Sequence, residues 1–201
     1  NGATWDNRTS GTTRQLNEIA YGDSTFVAVG DRGTNIYSSD NGATWSSGTT
    51  TETSNYYGVA NGDNAFAAVG NVNILKSTNS GSTWTTVTTA NLRDVAFGNS
   101  TFVACGADGA TYTSDNGSNW GSGTKVTSNL LNGIAFGNNI FVAVGASGTL
   151  IKSTNNGGSF SADMDSQVST TLNSIAYGNS IFLAVGSNTV IASTDNTGST
   201  F

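Results

Sequence analysis

The chain has no histidine and no proline, one cysteine, one methionine and few charges. Without histidine, no Ser-His-Asp or Cys-His couple can form, and no Cys/His zinc cluster can assemble. The single thiol, Cys105, permits no internal disulfide and leaves the redox compartment open. Its sister positions are Val29, Val69, Val144 and Val185, so Cys105 reads as a small buried hydrophobe. Charged residues make up 10% of the 201, against roughly 25% in an ordinary globular protein. Gly, Ser, Thr and Asn take their place. Net charge is −6, and the 7 Lys and Arg form no cluster. That disfavours nucleic-acid binding, which needs grouped positive charge to displace counterions. No apolar run approaches the roughly 20 residues that span a bilayer. A weakly charged, hydroxyl-rich surface points to an extracellular, cell-surface or virion-surface setting.

What the chain does have is a phrase repeated at about forty residues. It reads Ser38-Ser39-Asp40-Asn41-Gly42-Ala43-Thr44-Trp45 and returns at Ser77–Trp84, Thr113–Trp120, Ser153–Phe160 and, one residue longer, Ser193–Phe201. A fixed period of this length means one supersecondary unit copied and stacked. Each unit also carries two apolar runs, such as Ile19-Ala20-Tyr21-Gly22 and Phe26-Val27-Ala28-Val29-Gly30. They are short, rich in β-branched and aromatic residues and closed by glycine, which predicts strands ending in turns. They do not alternate apolar with polar, so these strands are expected to be buried on both faces.

The expected architecture is all-β: a five-bladed β-propeller of four-stranded antiparallel blades. The blades fall at about 13–52, 53–90, 91–127, 128–168 and 169–201 plus 1–12 of a single domain. The aromatics Trp5, Trp45, Trp84, Trp120, Phe160 and Phe201 are spaced by 40, 39, 36, 40 and 41 residues. Asn1–Trp5 is half a phrase, so the N-terminal segment is expected to supply the outer strand of the last blade and close the ring. Closure would remove free sheet edges. A chain without proline is also what consensus design would yield, but the uneven spacing and drifting phrases favour divergence after duplication.

On these residues the chain resembles the Asp-box (BNR) repeat family, whose Ser-x-Asp-x-Gly-x-Thr-Trp phrase sits between the third and fourth strands of a blade. The match is full at Ser38, Asp40, Gly42, Thr44 and Trp45, with Asn79 and Asn155 replacing Asp, and Phe160 and Phe201 replacing Trp. The strand ending in Phe-x-Ala-Val-Gly also resembles the photosystem-assembly type of Asp-box propeller. The box residues Asp40, Trp45, Asn79, Trp84, Asp115, Trp120, Asn155, Phe160, Asp195 and Phe201 are read as structural. A side-chain oxygen accepts backbone N–H groups in the turn, glycine takes the unusual φ, and the aromatic packs into the blade. Asn in place of Asp suits a hydrogen-bonding role better than a metal ligand. No metal and no cofactor is expected.

The resemblance raises sialidase-like hydrolysis as an enzymatic alternative, which would need converging arginines. The chain has only Arg8, Arg14, Arg32 and Arg93, scattered over the repeats. A general carboxylate pair remains in Glu18 and Asp94, equivalent positions of repeats one and three. They read as solvated residues at strand starts, and the chain is expected not to be an enzyme. Aligning the first strands isolates a variable column, Asn17, Tyr57, Arg93, Asn132 and Asn173, beside near-constant Leu, Ile and Val. These are the ligand-binding candidates, suited to a sugar or a peptide's charged end. The expected role is a surface-exposed binding or adhesion module, lectin-like or protein-binding on one propeller face. The alternative is a self-associating subunit of an extracellular fibre, appendage or virion. Sequons at Asn7, Asn99 and Asn116 mark acceptable glycosylation sites.

Overall fold

The computed structural model describes residues 2–162 and 167–195. It contains five antiparallel sheets in chain order. The first is β1 (Leu16–Gly22), β2 (Thr25–Gly30), β3 (Asn35–Ser38) and β4 (Ser46–Ser47). The second is β5 (Tyr56–Gly62), β6 (Ala65–Gly70), β7 (Asn73–Ser77) and β8 (Thr85–Thr89). The third is β9 (Leu92–Gly98), β10 (Thr101–Gly106), β11 (Thr111–Ser114) and β12 (Gly121–Ser122). The fourth is β13 (Leu131–Gly137), β14 (Ile140–Gly145) and β15 (Leu150–Ser153). The fifth is β16 (Leu172–Gly178), β17 (Ile181–Gly186) and β18 (Thr189–Ala192). Fourth strands are thus present in three sheets. In the fourth sheet the outer edge shrinks to a single bridge, Lys152 to Ser161.

The local cause of the first hairpin is the same in every unit. Asp23-Ser24, Asp63-Asn64, Asn99-Ser100, Asn138-Asn139 and Asn179-Ser180 all hold two successive positive φ values. That is the two-residue turn whose twist suits the flanking strands, and short polar side chains tolerate it best. Each first strand also carries a bulge one residue in. Leu16 pairs with Gly30 and Glu18 with Val29, leaving Asn17 unpaired, and the other four first strands repeat this.

The sheets stack through their first strands, β1 on β5, β5 on β9, β9 on β13 and β13 on β16. Four hydrophobic clusters fill the four junctions. At the first, Val27 and Val29 of one sheet meet Tyr56, Val59, Phe66, Ala68, Leu75 and Trp84 of the next. The middle strands β6 and β14 are buried along their whole length, as expected for strands covered on both faces.

The expected closure of the ring is not what the structure shows. Residues 2–15 form no strand, and among the described residues the last sheet holds β16, β17 and β18. Trp5 is 89% exposed, and its indole N–H donates to the nearby Gly2 carbonyl at 3.1 Å. Arg8 and Ser10 instead lie beside β1, lining a cavity with Leu16, Ile19 and Trp45. A segment whose one large apolar residue is Trp5 has little to bury against another sheet. Phe201, the other claimant to that place, lies outside the described residues.

Candidate functional site

The box geometry accounts for the repeated phrase. The Ser38 hydroxyl donates to Asp40 Oδ1 at 2.7 Å and accepts the Gly42 N–H at 2.9 Å. Asp40 accepts the Thr44 N–H at 2.9 Å and the Thr44 hydroxyl at 2.6 Å. Those bonds, with Thr44 first and Ser38 last, hold the Asp40 carboxyl down at about 2. The Trp45 indole then donates to the Gly42 carbonyl. Asn79 and Asn155 keep the same acceptor bond, to the N–H of Thr83 and Ser159 at 2.9 Å, and their amides donate onward to those hydroxyls. The amide therefore does the carboxylate's work in the turn.

The third box differs from its alignment. Ser114 pairs with Phe102 as Ser38 pairs with Phe26, so this box is one residue shorter. Its acceptor is Asn116, which takes the N–H of Ser118 at 2.8 Å and of Asn119 at 3.1 Å. Asp115, the aligned acid, stands exposed beside it. Trp84 and Phe160 are buried, whereas Trp45 and Trp120 are half-buried. Ser193, Thr194 and Asp195 of the fifth box are described, and its residues 196–201 lie outside the described residues.

The five ligand-binding candidates turn out to be the five bulge residues. A bulge re-aims a side chain and frees it from the ladder, and here most of these side chains reach the neighbouring blade. The Asn17 amide donates to the Tyr56 carbonyl at 2.8 Å and to Asp31 Oδ1 at 3.1 Å. The Asn132 amide donates to the Leu172 carbonyl at 2.8 Å. Asn173, on the last sheet, is exposed. Tyr57 and Arg93 form a different unit. The Arg93 guanidinium lies 4.5 Å above the Tyr57 ring, a cation–π contact across the second junction. Its Nε is buried without a hydrogen-bond partner.

Glu18 and Asp94 begin the strand proper just after the bulge, and they are not solvated as expected but half-buried and bound to backbone amides. Glu18 Oε2 accepts the Val59 N–H at 2.7 Å, from the next blade. Asp94 does the same for Ile134 at 2.8 Å and also accepts the N–H of Val95. The residues opposite are Gly58 and Gly133, where a Cβ would lie within 2.8 Å of Asp94 Cα and 3.1 Å of Ser174 Cα. An acid in one blade thus holds a backbone amide of the next, while the glycine before that amide lets the following blade pack closely. Burial pushes the Glu18 carboxyl up to about 8, the Asp94 charge adding to it and the Val59 N–H opposing it. Burial likewise raises Asp94 to about 6 against its two N–H donors.

The remaining candidates are dispersed. Arg8 faces Asp6 at 3.7 Å on the surface, and the Arg14 guanidinium donates to the Arg32 carbonyl at 3.2 Å. Cys105 is fully buried, and burial raises its thiol well above the ordinary value, so no thiolate is available. Among the described residues no group of three His, Cys, Asp or Glu gathers as a metal site, and no helix is long and apolar enough to cross a membrane.

One constellation escaped the reading of the repeats. The glycines ending three of the first strands each receive a ring of the next blade, and Gly22 receives the Asn61 side chain. A Cβ on Gly62, Gly98 or Gly137 would lie 2.1–2.2 Å from Phe97, Phe136 or Tyr177. The recurring aromatic-Gly pair was in the sequence, but read as turn punctuation rather than as two halves of an inter-blade contact.

No protein-family model matches the chain, and no curated protein matches it in sequence. Solved structures do. A chain from YCF48 bound to D1 peptide aligns with a TM-score of 0.71 at 18% identity, over 90% of this chain and 64% of that one. A chain of a nidogen/laminin complex aligns at 0.72 and 12%, over 92% and 78%. An ancestral GH74 enzyme aligns at 0.70 and 18%, over 92% and 29%. The chain spans less than two thirds of the YCF48 chain's length and less than a third of the enzyme's. At these identities the likeness shows the fold, an all-β series of propeller blades.

Proposed function

We propose that the chain is a non-enzymatic binding propeller that takes the carboxylate of a peptide or protein partner at Arg93 and Tyr57. The observation that carries this is the Arg93 guanidinium, stacked on Tyr57 with its Nε buried and unpartnered. Guanidinium forks favour carboxylates, and among the described residues Arg93 has no ion-pair partner. The half-buried stack fixes the fork in advance, which lowers the cost of ordering it on binding. The YCF48 structure holds a D1 peptide and the nidogen structure a laminin partner, which supports protein or peptide as the ligand class. Glu18 and Asp94 each hold a backbone amide of the neighbouring blade, an occupation that suits fasteners better than an acid–base pair. The composition supports a cell-surface or virion-surface location.

The test is a peptide array carrying matched free and amidated C termini, run beside a glycan array. Binding to free carboxylates that is lost on amidation and in Arg93→Gln supports the reading. Binding to neutral glycans alone would transfer the role to a lectin. Silence on both arrays would leave the assembly-subunit alternative in its place.

A further inference from the structure

The bulge residue of the first blade has an acid beside it. The Asn17 amide donates to Asp31 Oδ1 at 3.1 Å, and Asp31 follows Gly30, the partner of Leu16. The same backbone recurs in the third blade, where Leu92 pairs with Gly106 and Ala107 follows. The Asp31 N–H donates to the Gln15 carbonyl and the Ala107 N–H to the Asn91 carbonyl, both at 3.0 Å. Ala107 therefore holds beside Arg93 the place that Asp31 holds beside Asn17, but it brings no carboxylate. Asp94, the next residue along, is engaged by the N–H groups of Val95 and Ile134. Among the described residues no acid lies within ion-pair distance of Arg93. The repeat gives an acid to the neutral amide and withholds one from the cation.

The charges are also sorted between the two faces of the blades. Each first strand runs from its bulge to a two-residue turn, and each third strand runs the same way, towards its box. One face thus gathers the bulges, the turns before the third strands and the connectors between blades. It carries Arg14, Arg32, Arg93 and Lys125. Arg32 lies in the turn Asp31–Gly33, and its N–H donates to Asn55 Oδ1, two residues before Tyr57. The Arg14 guanidinium donates to the Arg32 carbonyl. Lys125 is on the connector whose Thr127 carbonyl covers Gly109. Of the acids on this face, Asp31 is engaged by Asn17, Glu52 accepts the Thr86 hydroxyl, and Asp108 is exposed.

The opposite face, made of the first-hairpin turns and the boxes, carries Asp23, Asp40, Asp63, Asp115 and Asp195. None of those turns or boxes contains Lys or Arg, and Lys76 reaches the face from β7, at the Ser118 hydroxyl. A field of this polarity steers an anionic partner to the connector face and away from the other.

We propose that the connector face docks an acidic C-terminal segment of a partner protein. Its terminal carboxylate lies over Ala107 against the Arg93 guanidinium, in the place that Asp31 fills in the first blade. An acidic side chain upstream reaches Arg32, whose turn is tied to the Tyr57 strand through Asn55. This rests on the carboxylate reading of Arg93 and Tyr57, and adds the seat, the direction of approach and the charge of the partner.

The probes are two labelled peptides with free C termini, Gly-Glu-Glu-Gly-Ala and its twin Gly-Gln-Gln-Gly-Ala. Fluorescence anisotropy reads their dissociation constants, and melting temperatures check that each variant is folded. Arg93→Gln should lose both peptides. Ala107→Asp gives the third blade its own acid and should weaken both by about tenfold or more. Ala107→Asn, equal in size and uncharged, should keep both. Arg32→Gln should weaken the glutamate peptide about threefold, to the level of its twin, and leave the twin unchanged. Asp63→Asn, on the opposite face, should change neither. If Arg93→Gln abolishes binding while either Ala107→Asp or Arg32→Gln leaves it intact, the carboxylate reading stands and this docking mode falls. Equal losses in Ala107→Asp and Ala107→Asn likewise overturn the seat. If Arg93→Gln changes nothing, or neither peptide binds the unaltered chain, the reading and the docking mode fall together.

Discussion

The strands β14 and β17 read Ile-Phe-Val-Ala-Val-Gly and Ile-Phe-Leu-Ala-Val-Gly, a difference of one methylene-sized change. The first is buried at every residue, while the second alternates exposed and covered. Their sequences and hairpins are equivalent, so the difference lies in the neighbour. β14 is covered on both faces, and β17 on one. Burial in this fold is decided between blades rather than within them, and β17 keeps an apolar face that is exposed among the described residues.

That contrast can be broken most forcefully with a charge. Val142→Asp should cost several kcal/mol, since it buries an unpaired carboxylate in the fourth junction. The equivalent Leu183→Asp should leave monomer stability within about 0.5 kcal/mol, as surface changes do. Urea unfolding of both variants in dilute solution measures the difference. If the two lose equally, the fifth blade's face is not open.

The acid fasteners give the next effect. The folded state holds the Glu18 and Asp94 protons more tightly than the unfolded chain, whose values lie near 4.5 and 3.8. The stability this confers is complete below those values. It is lost as pH rises through about 6 for Asp94 and about 8 for Glu18. Glu18→Gln keeps a side-chain oxygen for the Val59 N–H and should flatten the upper part of the profile. Unfolding midpoints from pH 4 to pH 9 follow this directly, and a wild-type midpoint that rises across that range contradicts the assignment.

Glycines at and beyond the junctions should differ in the same sense. Gly137→Ala drives a Cβ into the Tyr177 ring and should cost about 1–3 kcal/mol, the usual range for overpacking. Gly178→Ala meets open space and should leave the melting temperature of the dilute monomer unchanged.

The smallest contrast lies between boxes. Asp40→Ala removes an acceptor of three hydrogen bonds at an exposed turn and should lower the melting temperature slightly. Asp115→Ala removes none and should be neutral, while Asn116→Ala should behave like Asp40→Ala. Thermal denaturation of the three variants ranks them. The same geometry bears on the Asn116 sequon, because its side chain is already engaged in closing the turn.

The blades were legible in the sequence because the signals are local. Two-residue polar turns, glycine-ended apolar strands and the serine–acid box each fix a few neighbouring residues, and five copies reinforce one another. The bulge at Asn17, Tyr57, Arg93, Asn132 and Asn173 was visible as a variable column but not as a bulge, since an unpaired residue shows only in the register of the partner strand. The one-residue deletion in the third box was hidden because Asp115 preserves the look of the motif while Asn116 carries its bonds. Closure of the ring was misjudged for a longer-range reason. An incomplete phrase at Trp5 matched the motif, but matching says nothing about whether residues 2–15 can bury enough surface to cross to the fifth blade.

The central claim is that burial in this fold is decided by the neighbouring blade. Urea unfolding of Val142→Asp beside Leu183→Asp, both in dilute solution, tests it most directly. The account predicts a loss of several kcal/mol for the first and a change within about 0.5 kcal/mol for the second. Equal losses in the two variants would contradict it.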